Sequence, residues 1–82
     1  MNTDYLRYFS TLAELQHYGK AAKELNISQP GLSHAIHSLE KDYGLPLFEK
    51  TGRNVRLSPY GLEIKKYIEN CKKEFGDMVA RV

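Results

Sequence analysis

The segment SQPGLSHAIHSLE, residues 28–40, contains the strongest fold signal in the chain, because a helix start precedes a regular apolar stripe. Ser28 is a predicted N-cap, since its hydroxyl can accept a hydrogen bond from a first-turn amide, and Pro30 is tolerated in that turn. The apolar residues recur at the spacing of one helix face. They are Leu32, Ala35, Ile36 and Leu39. The segment therefore predicts a helix over residues 28–41 whose stripe faces a hydrophobic core.

The opposite face of this helix is polar but almost uncharged. It carries Pro30, His34, His37 and Lys41, with Ser33 and Ser38 on its shoulders. It lacks the Glu and Lys pairs, four residues apart, that are usual on a solvated face. Short polar side chains both donate and accept hydrogen bonds, as the base edges of a DNA major groove require, and Gln29 can pair with adenine through two bonds. A polar face taken alone more often indicates simple solvation, so the neighbouring elements decide.

The residues before this segment predict a helix-turn-helix. A short helix is expected over residues 19–25, where two adjacent alanines allow a neighbouring helix to approach closely. Asn26 suits the left-handed end of that helix, and Ile27 is predicted to enter the core. An amphipathic first helix precedes the pair, with Thr3 as its predicted N-cap. The positions on its apolar face are Leu6, Phe9, Leu12, Ala13 and Gln16.

The residues after the segment predict a small β-hairpin with a basic tip. Gly44 is expected to end the helix. The first strand is predicted at Leu45, Leu47 and Phe48 with Pro46 at its edge, and the second at Val55 and Leu57. TGRN, residues 51–54, is typical of a turn. Residues 50–56 contain no acid, so their cations indicate a polyanion contact. These cations are Lys50, Arg53 and Arg56.

A long final helix is predicted from Ser58, its N-cap, and Pro59, its first residue. Its apolar residues alternate at spacings of four and three over about three heptads, which is typical of pairing between two helices. One alternative is that this stripe packs on its own domain, as its first turns should. A helix of about 24 residues spans roughly 36 Å, however, so the remainder should project and pair with a second chain. The predicted dimerisation residues are Ile64, Ile68, Cys71, Phe75 and Met78.

Composition excludes several classes of protein. The 82 residues suffice for one small domain, and a net charge of +2 says little about partners. No run approaches the ~18 apolar residues of a membrane span, and the N-terminus is unlike a secretory signal. The single cysteine, Cys71, excludes an internal disulfide and fits a reducing cytoplasm. We expect neither a metal nor another cofactor, and no enzymatic activity, because paired carboxylates, a nucleophile–base pair and a phosphate loop are all missing.

The sequence AAKELNISQPGLSHAIHSLEKDYGLPLFEKTGRNVRLSPYG, residues 21–61, resembles the DNA-binding domain of LysR-type transcriptional regulators. The family pattern has paired alanines, a leucine, Ser-Gln-Pro, an Ile…Leu-Glu step, Gly-x-x-Leu-Phe-x-Arg/Lys and a Leu-Thr-x-x-Gly close. It is matched at Ala21, Ala22, Leu25, Ser28, Gln29, Pro30, Ile36, Leu39, Glu40, Gly44, Leu47, Phe48, Lys50, Leu57, Ser58 and Gly61. The family's opening pattern is matched at Leu6, Phe9, Ala13 and Glu14. The resemblance covers essentially all 82 residues and is highly specific.

The resemblance implies a mainly α fold, with a winged helix-turn-helix over residues 1–58 and a dimerising linker helix over residues 59–82 that pairs antiparallel with its twin. It also implies a transcription regulator that binds double-stranded DNA as a homodimer on a pseudo-palindromic site. The helix over 28–41 should read the major groove, with the wing, residues 49–56, on the backbone and minor groove. The predicted DNA-binding residues are Ser28, Gln29, Pro30, Ser33, His34, His37, Lys50 and Arg53.

In the family, the residues at the positions of Gln29, Pro30 and Ser33 approach the bases or the DNA backbone. The arginine at the position of Arg53 enters the minor groove, and the residue at the position of Lys50 contacts phosphate.

Three positions depart from the family pattern. His17 and Tyr18 stand where Ser-Phe is common, which removes the usual serine cap of the second helix. Gly31 replaces a small Ala or Ser and is expected to loosen the helix start. His34 replaces a frequent Arg or Lys, which exchanges a fixed charge for a titratable one.

The family also carries a larger C-terminal domain that senses a small molecule, and these 82 residues have no counterpart to it. We therefore expect an excised DNA-binding fragment or a short paralogue, without an effector site, on the nucleoid in a bacterial cytoplasm. A tetramer is compatible with a full-length parent. The alternative function is a dimeric protein-interaction module that does not bind DNA. The salt dependence of binding separates the two, because phosphate contacts release counterions.

Overall fold

Four helices and one β-hairpin make up the computed structural model, which describes residues 3–82. The helices are α1 (Thr3–Leu15), α2 (Tyr18–Leu25), α3 (Gln29–Tyr43) and α4 (Pro59–Arg81). The strands are β1 (Phe48–Thr51) and β2 (Asn54–Leu57). The predicted architecture, three helices with a two-stranded wing before a long final helix, is confirmed. The N-cap predicted at Thr3 lies outside the residues whose side chains the structure describes.

The core lies where α1, α2 and α3 meet. The stripe predicted for α3 is buried, and Ala21 and Ala22 of α2 are buried beside it. Because an alanine methyl is small, α2 can pack closely against its neighbours. The largest fully buried apolar side chains are Phe9, Leu12, Leu32, Ile36, Leu39 and Leu47. Ile27 is half-buried and packs against this cluster, in the turn between α2 and α3.

The helix ends follow the predicted local chemistry, except for that of α1. Asn26 (φ 57°) and Gly44 (φ 67°) occupy the left-handed region at the ends of α2 and α3, as predicted. Gln16 was expected on the apolar face of α1, but that prediction is wrong. Gln16 follows the last helical residue with φ 52° and is exposed, while its amide donates to Leu12 O at 2.7 Å. A left-handed residue at this position turns the chain away from the helix axis.

The wing begins later than predicted. Strand β1 starts at Phe48, so the expected strand residues Leu45 and Leu47 precede it, and Leu45 is exposed. Pro46 has no amide hydrogen to donate to a ladder, and the Leu47 amide donates to the Glu40 side chain instead. The two strands are antiparallel, with Lys50 opposite Val55 and a two-residue turn between Thr51 and Asn54.

Helix α4 begins against the wing and then leaves the domain. Ser58 caps it, since its Oγ accepts the Gly61 amide at 3.0 Å, and Pro59 is the first helical residue. Its first half packs on the core through Ile64 and Ile68. Every residue from 69 to 82 is exposed, and the molecule is 45 Å along its longest axis. A helix of 23 residues is about 34 Å long, so α4 accounts for most of that length.

Candidate nucleic-acid interface

The start of α3 presents a closed turn with its polar side chains outward. Ser28 Oγ accepts the Gly31 amide at 3.0 Å, which satisfies one of the free donors of the first turn. A Cβ at Gly31 would lie 2.9 Å from Ser28 Oγ, so the glycine leaves room for this cap. Gln29 and Pro30 are exposed immediately after the cap. The turn therefore holds both residues at the tip of the predicted reading helix.

The outward face of α3 has the polarity that the sequence indicates. His34, His37 and Lys41 are exposed, and Ser33 is half-buried at the edge toward the wing. All of these belong to one helix whose other side is buried, so their backbone positions are fixed by the core. Such a rigid row of donors and acceptors is suited to reading base edges in a groove wide enough for a helix.

Glu40 joins this helix to the wing. Its Oε2 accepts the Leu47 amide at 2.7 Å and the Phe48 amide at 3.3 Å. The ring of Phe48 also packs against Phe9 in the core, with 5.4 Å between the two ring centroids. These contacts set the position of β1 relative to α3. Glu40 is not among the predicted site residues. No Lys or Arg lies three or four residues from it on its own helix, which is the one sequence signal that its partner lies elsewhere.

Two clefts connect α3 with the wing. One is lined by Tyr18, Gln29, Pro30, Ser33 and Lys50. The second contains Ser33, His37 and Lys50 together with Tyr18, Glu40 and residues of both strands. The structure thus brings five predicted site residues together across the gap between the two elements, namely Gln29, Pro30, Ser33, His37 and Lys50. Ser28, His34 and Arg53 line neither cleft. Tyr18 lines both clefts and is not among the predicted site residues.

The charges on the wing are not equivalent. Arg56 Nε lies 3.1 Å from Glu49 Oε2, across the register in which these two residues face each other. Its charge is therefore partly neutralised by an acid that lies one residue before the predicted cationic segment. Lys50 and Arg53 are exposed, and neither has an ion-pair partner within residues 3–82. Gly52, with φ 65°, forms the turn that places Arg53 at the tip.

The second helix reaches the same surface with its N-terminus. His17 stands where serine is common in LysR-type regulators, which this sequence resembles. It caps α2, since its Nδ1 accepts a hydrogen bond from the Lys20 amide at 3.0 Å. The next residue, Tyr18, is half-buried. Burial, and then the negative charge of Glu40, raise the pKa of the Tyr18 hydroxyl above its ordinary value. The hydroxyl is therefore neutral and able to donate at physiological pH.

The predicted dimerisation residues fall into two groups. Ile64 and Ile68 are half-buried and pack on the core of their own chain, as expected for the first turns of α4. Cys71, Phe75 and Met78 are exposed. With Val79 and Val82 they leave an apolar surface on the projecting half of the helix. An exposed apolar row of this kind on a helix is typical of a surface that a partner covers.

Two further features bear on the chemistry of the chain. Within residues 3–82 no three histidine, cysteine or acidic side chains come together in a way that could hold a metal ion. None of the helices in this part of the chain combines the length and apolar character needed to cross a membrane.

Comparison with known proteins gives a consistent picture. The sequence model of the family described as "Bacterial regulatory helix-turn-helix protein, lysR family" matches residues 3–62. YybE, an uncharacterized HTH-type transcriptional regulator of Bacillus subtilis (strain 168), is 44% identical over 75 residues, which are 92% of this chain and 26% of YybE. BudR, an HTH-type transcriptional regulator of Klebsiella aerogenes, is 44% identical over 72 residues, which are 88% of this chain and 49% of BudR.

The fold has counterparts among solved structures. The crystal structure of the BenM_DBD/benA site 1 DNA complex matches with a TM-score of 0.83 and 36% identity, over 98% of this chain and 93% of that one.

The sequence relatives YybE and BudR are transcriptional regulators rather than enzymes, as predicted. This chain spans half of their length or less. From its winged helix-turn-helix and from the family match over residues 3–62, the chain belongs to the lysR family of bacterial regulatory helix-turn-helix proteins.

Proposed function

We propose that this chain binds double-stranded DNA sequence-specifically and regulates transcription. The observation that carries the proposal is the cleft in which Lys50, a wing cation without an ion pair within residues 3–82, faces Gln29, Pro30 and Ser33 of α3. A fixed cation next to uncharged hydrogen-bonding side chains offers phosphate contact and base contact on one surface. The likeness to BenM_DBD, whose structure contains benA site 1 DNA, supports this proposal.

In the proposed complex, the helix over residues 28–41 lies in the major groove. Gln29 and Ser33 meet base edges, while Ser28 and Pro30 lie at the helix start next to the backbone. His34 and His37 complete the groove-facing row. On the wing, residues 49–56, Lys50 contacts phosphate and Arg53 enters the minor groove, where a narrow groove attracts arginine.

The proposed assembly is a homodimer formed by the linker helices. Residues 1–58 serve as the winged helix-turn-helix unit and residues 59–82 as the pairing helix, through Ile64, Ile68, Cys71, Phe75 and Met78. Antiparallel pairing creates a two-fold axis, so the DNA site would be a pseudo-palindrome. The protein acts on the nucleoid in the bacterial cytoplasm.

The variant Gln29→Ala tests the base-reading role directly. We expect it to weaken binding to the preferred duplex by about 1–3 kcal/mol and to relax the preference at one base pair, because a bidentate contact is lost. The preferred duplex is found by selection from a random pool, and affinities are measured at one salt concentration. Asn70→Ala, which removes an exposed amide from α4, serves as the matched control. Equal weakening on every duplex would show that Gln29 does not read a base.

The variant Arg53→Ala tests the wing. Because Arg53 carries a charge without an ion pair in the described residues, we expect weaker binding and a decrease of about 1 in the slope of log K against log salt. Arg56→Ala is the control, since Arg56 is paired with Glu49 and should contribute less to the slope. An unchanged slope for Arg53→Ala would remove the wing tip from the interface. If the wild-type affinity hardly varied between about 50 and 200 mM salt, the rival function, a protein-interaction module, would be favoured.

A further inference from the structure

Tyr18 occupies a position between the two DNA-facing elements. It is the first residue of α2, and it lines both clefts that separate α3 from the wing. In one cleft it lies with Gln29, Pro30 and Lys50, and in the other with His37, Glu40 and Glu49. Tyr18 therefore belongs to the same surface as the proposed DNA-binding residues, although it comes from a different helix.

The Tyr18 hydroxyl is free to bind a ligand. Within residues 3–82 the structure records no hydrogen bond from this hydroxyl to another group of the protein. Among the same residues no buried side-chain oxygen or nitrogen lacks a partner. Since Tyr18 is half-buried and its hydroxyl has no partner, the oxygen itself must reach the surface. The ring is held by burial, while its polar end is exposed in the clefts.

The two clefts differ in charge: Glu40 and Glu49 line the second, whereas the first contains Lys50 and no acid, so an acceptor with negative charge is favoured in the first. The pKa of the Tyr18 hydroxyl lies above its ordinary value, so the hydroxyl is protonated and can donate a hydrogen bond at physiological pH. Lys50, which has no ion-pair partner within residues 3–82, supplies a positive charge in that first cleft. Tyrosine is among the side chains that contact phosphate oxygens of DNA. In a helix-turn-helix the first of the two helices, here α2, crosses the DNA backbone rather than entering the groove. A backbone phosphate meets all of these conditions.

We propose that Tyr18 donates a hydrogen bond from its hydroxyl to a backbone phosphate of the bound DNA, beside the phosphate that Lys50 contacts. The proposal rests on the proposed DNA-binding function. Tyr18 is then a further DNA-contact residue, and it acts on affinity for all sequences rather than on the choice among them. It also distinguishes this chain from relatives with phenylalanine at the position, which cannot make the contact.

The variant Tyr18→Phe removes only the hydroxyl, and phenylalanine is common at this position in the family, so the fold should be retained. We expect binding to become about 5- to 30-fold weaker on the preferred duplex and on an unrelated duplex alike, because one charge-assisted hydrogen bond is lost. The salt slope should not change, since no charge is removed. Tyr5→Phe, a half-buried tyrosine of α1 that lines neither cleft, is the matched control.

Ethylation of single phosphates gives a second measurement on the wild-type chain. One ethylated phosphate should weaken wild-type binding but leave Tyr18→Phe unaffected. Equal affinities of wild type and Tyr18→Phe would overturn the inference while leaving the proposed function intact. A loss confined to one base pair of one duplex would also overturn it, since the hydroxyl would then read a base. If the wild type bound no duplex at all, both the proposed function and the Tyr18 contact would be rejected.

Discussion

His17 caps α2 with a side chain that is uncommon in this role. Its backbone is extended (φ −154°, ψ 113°), and Nδ1 accepts the Lys20 amide. An accepting Nδ1 carries no proton, so in the neutral ring the hydrogen is on Nε2. Gly19 leaves space for the ring, because a Cβ there would lie 3.1 Å from His17 Cε1. The departure from the family's serine therefore keeps the cap and changes only the group that makes it.

Removing this cap should destabilise the fold. We expect His17→Ala to lower the free energy of unfolding by about 0.5–2 kcal/mol, because the Lys20 amide loses its acceptor. His17→Ser should be close to wild type, since a serine hydroxyl can accept the same amide. Urea denaturation at neutral pH and equal protein concentrations measures the difference. If the alanine and serine variants were equally stable, the imidazole would not be acting as a cap.

The wing depends on contacts with other elements, since a lone hairpin of two four-residue strands is marginal in water. Glu40 of α3 binds the amides at its start, and buried Ser58 at its end donates to the Pro46 carbonyl. Gly61 of α4 is also buried here, where the Leu47 carbonyl approaches closely. These contacts fix the wing against α3 and α4, so that Lys50 lines the two clefts beside the polar face of α3.

Two glycines of α4 should respond in opposite ways to alanine. A Cβ at Gly61 would lie 2.1 Å from Leu47 O, so Gly61→Ala should destabilise the protein by about 1–3 kcal/mol. A Cβ at Gly76 meets nothing within 4 Å, so Gly76→Ala should stabilise the helix by up to about 1 kcal/mol. Thermal unfolding at one protein concentration compares the two. Destabilisation by both substitutions would contradict this account of α4.

The molecule as a whole is a small packed domain from which the second half of α4 projects. The apolar seam of α4 runs through both parts, but Ile64 and Ile68 belong to the domain's own packing. Phe75, 64% exposed, and Met78, 49% exposed, lie beyond it. A charge at position 68 would therefore disturb folding as well as pairing. Position 75 separates the two effects, because Phe75 is outside the core cluster.

The proposed dimer predicts a clear result for Phe75→Lys. We expect this variant to sediment as a monomer with an unchanged helical signal, because a charge on the seam would have to be desolvated in the pair. Asn70→Lys adds the same charge at an exposed position off the seam and should remain dimeric. A dimer that persists in Phe75→Lys would place the interface elsewhere.

Local signals in the sequence account for most of the elements. Asn26, Ser28, Gly44 and the Ser58-Pro59 pair set helix boundaries because their effects depend on the nearest residues alone. The apolar periodicity of α3 identified its buried and exposed faces for the same reason. Gln16 and the start of β1 differ from the predictions, since Gln16 leaves the helix through a left-handed backbone and the Leu47 amide donates to Glu40 instead of a strand.

What the sequence by itself determined is the set of helices, the presence of a basic hairpin and the polar character of the reading face. Only the tertiary structure decided which side chains meet. Glu40 binds the wing, Glu49 pairs with Arg56, and Tyr18 and Lys50 line the same two clefts. The physical reason is that capping and periodicity act between residues close in the chain, whereas these contacts depend on how α2, α3 and the wing pack in space.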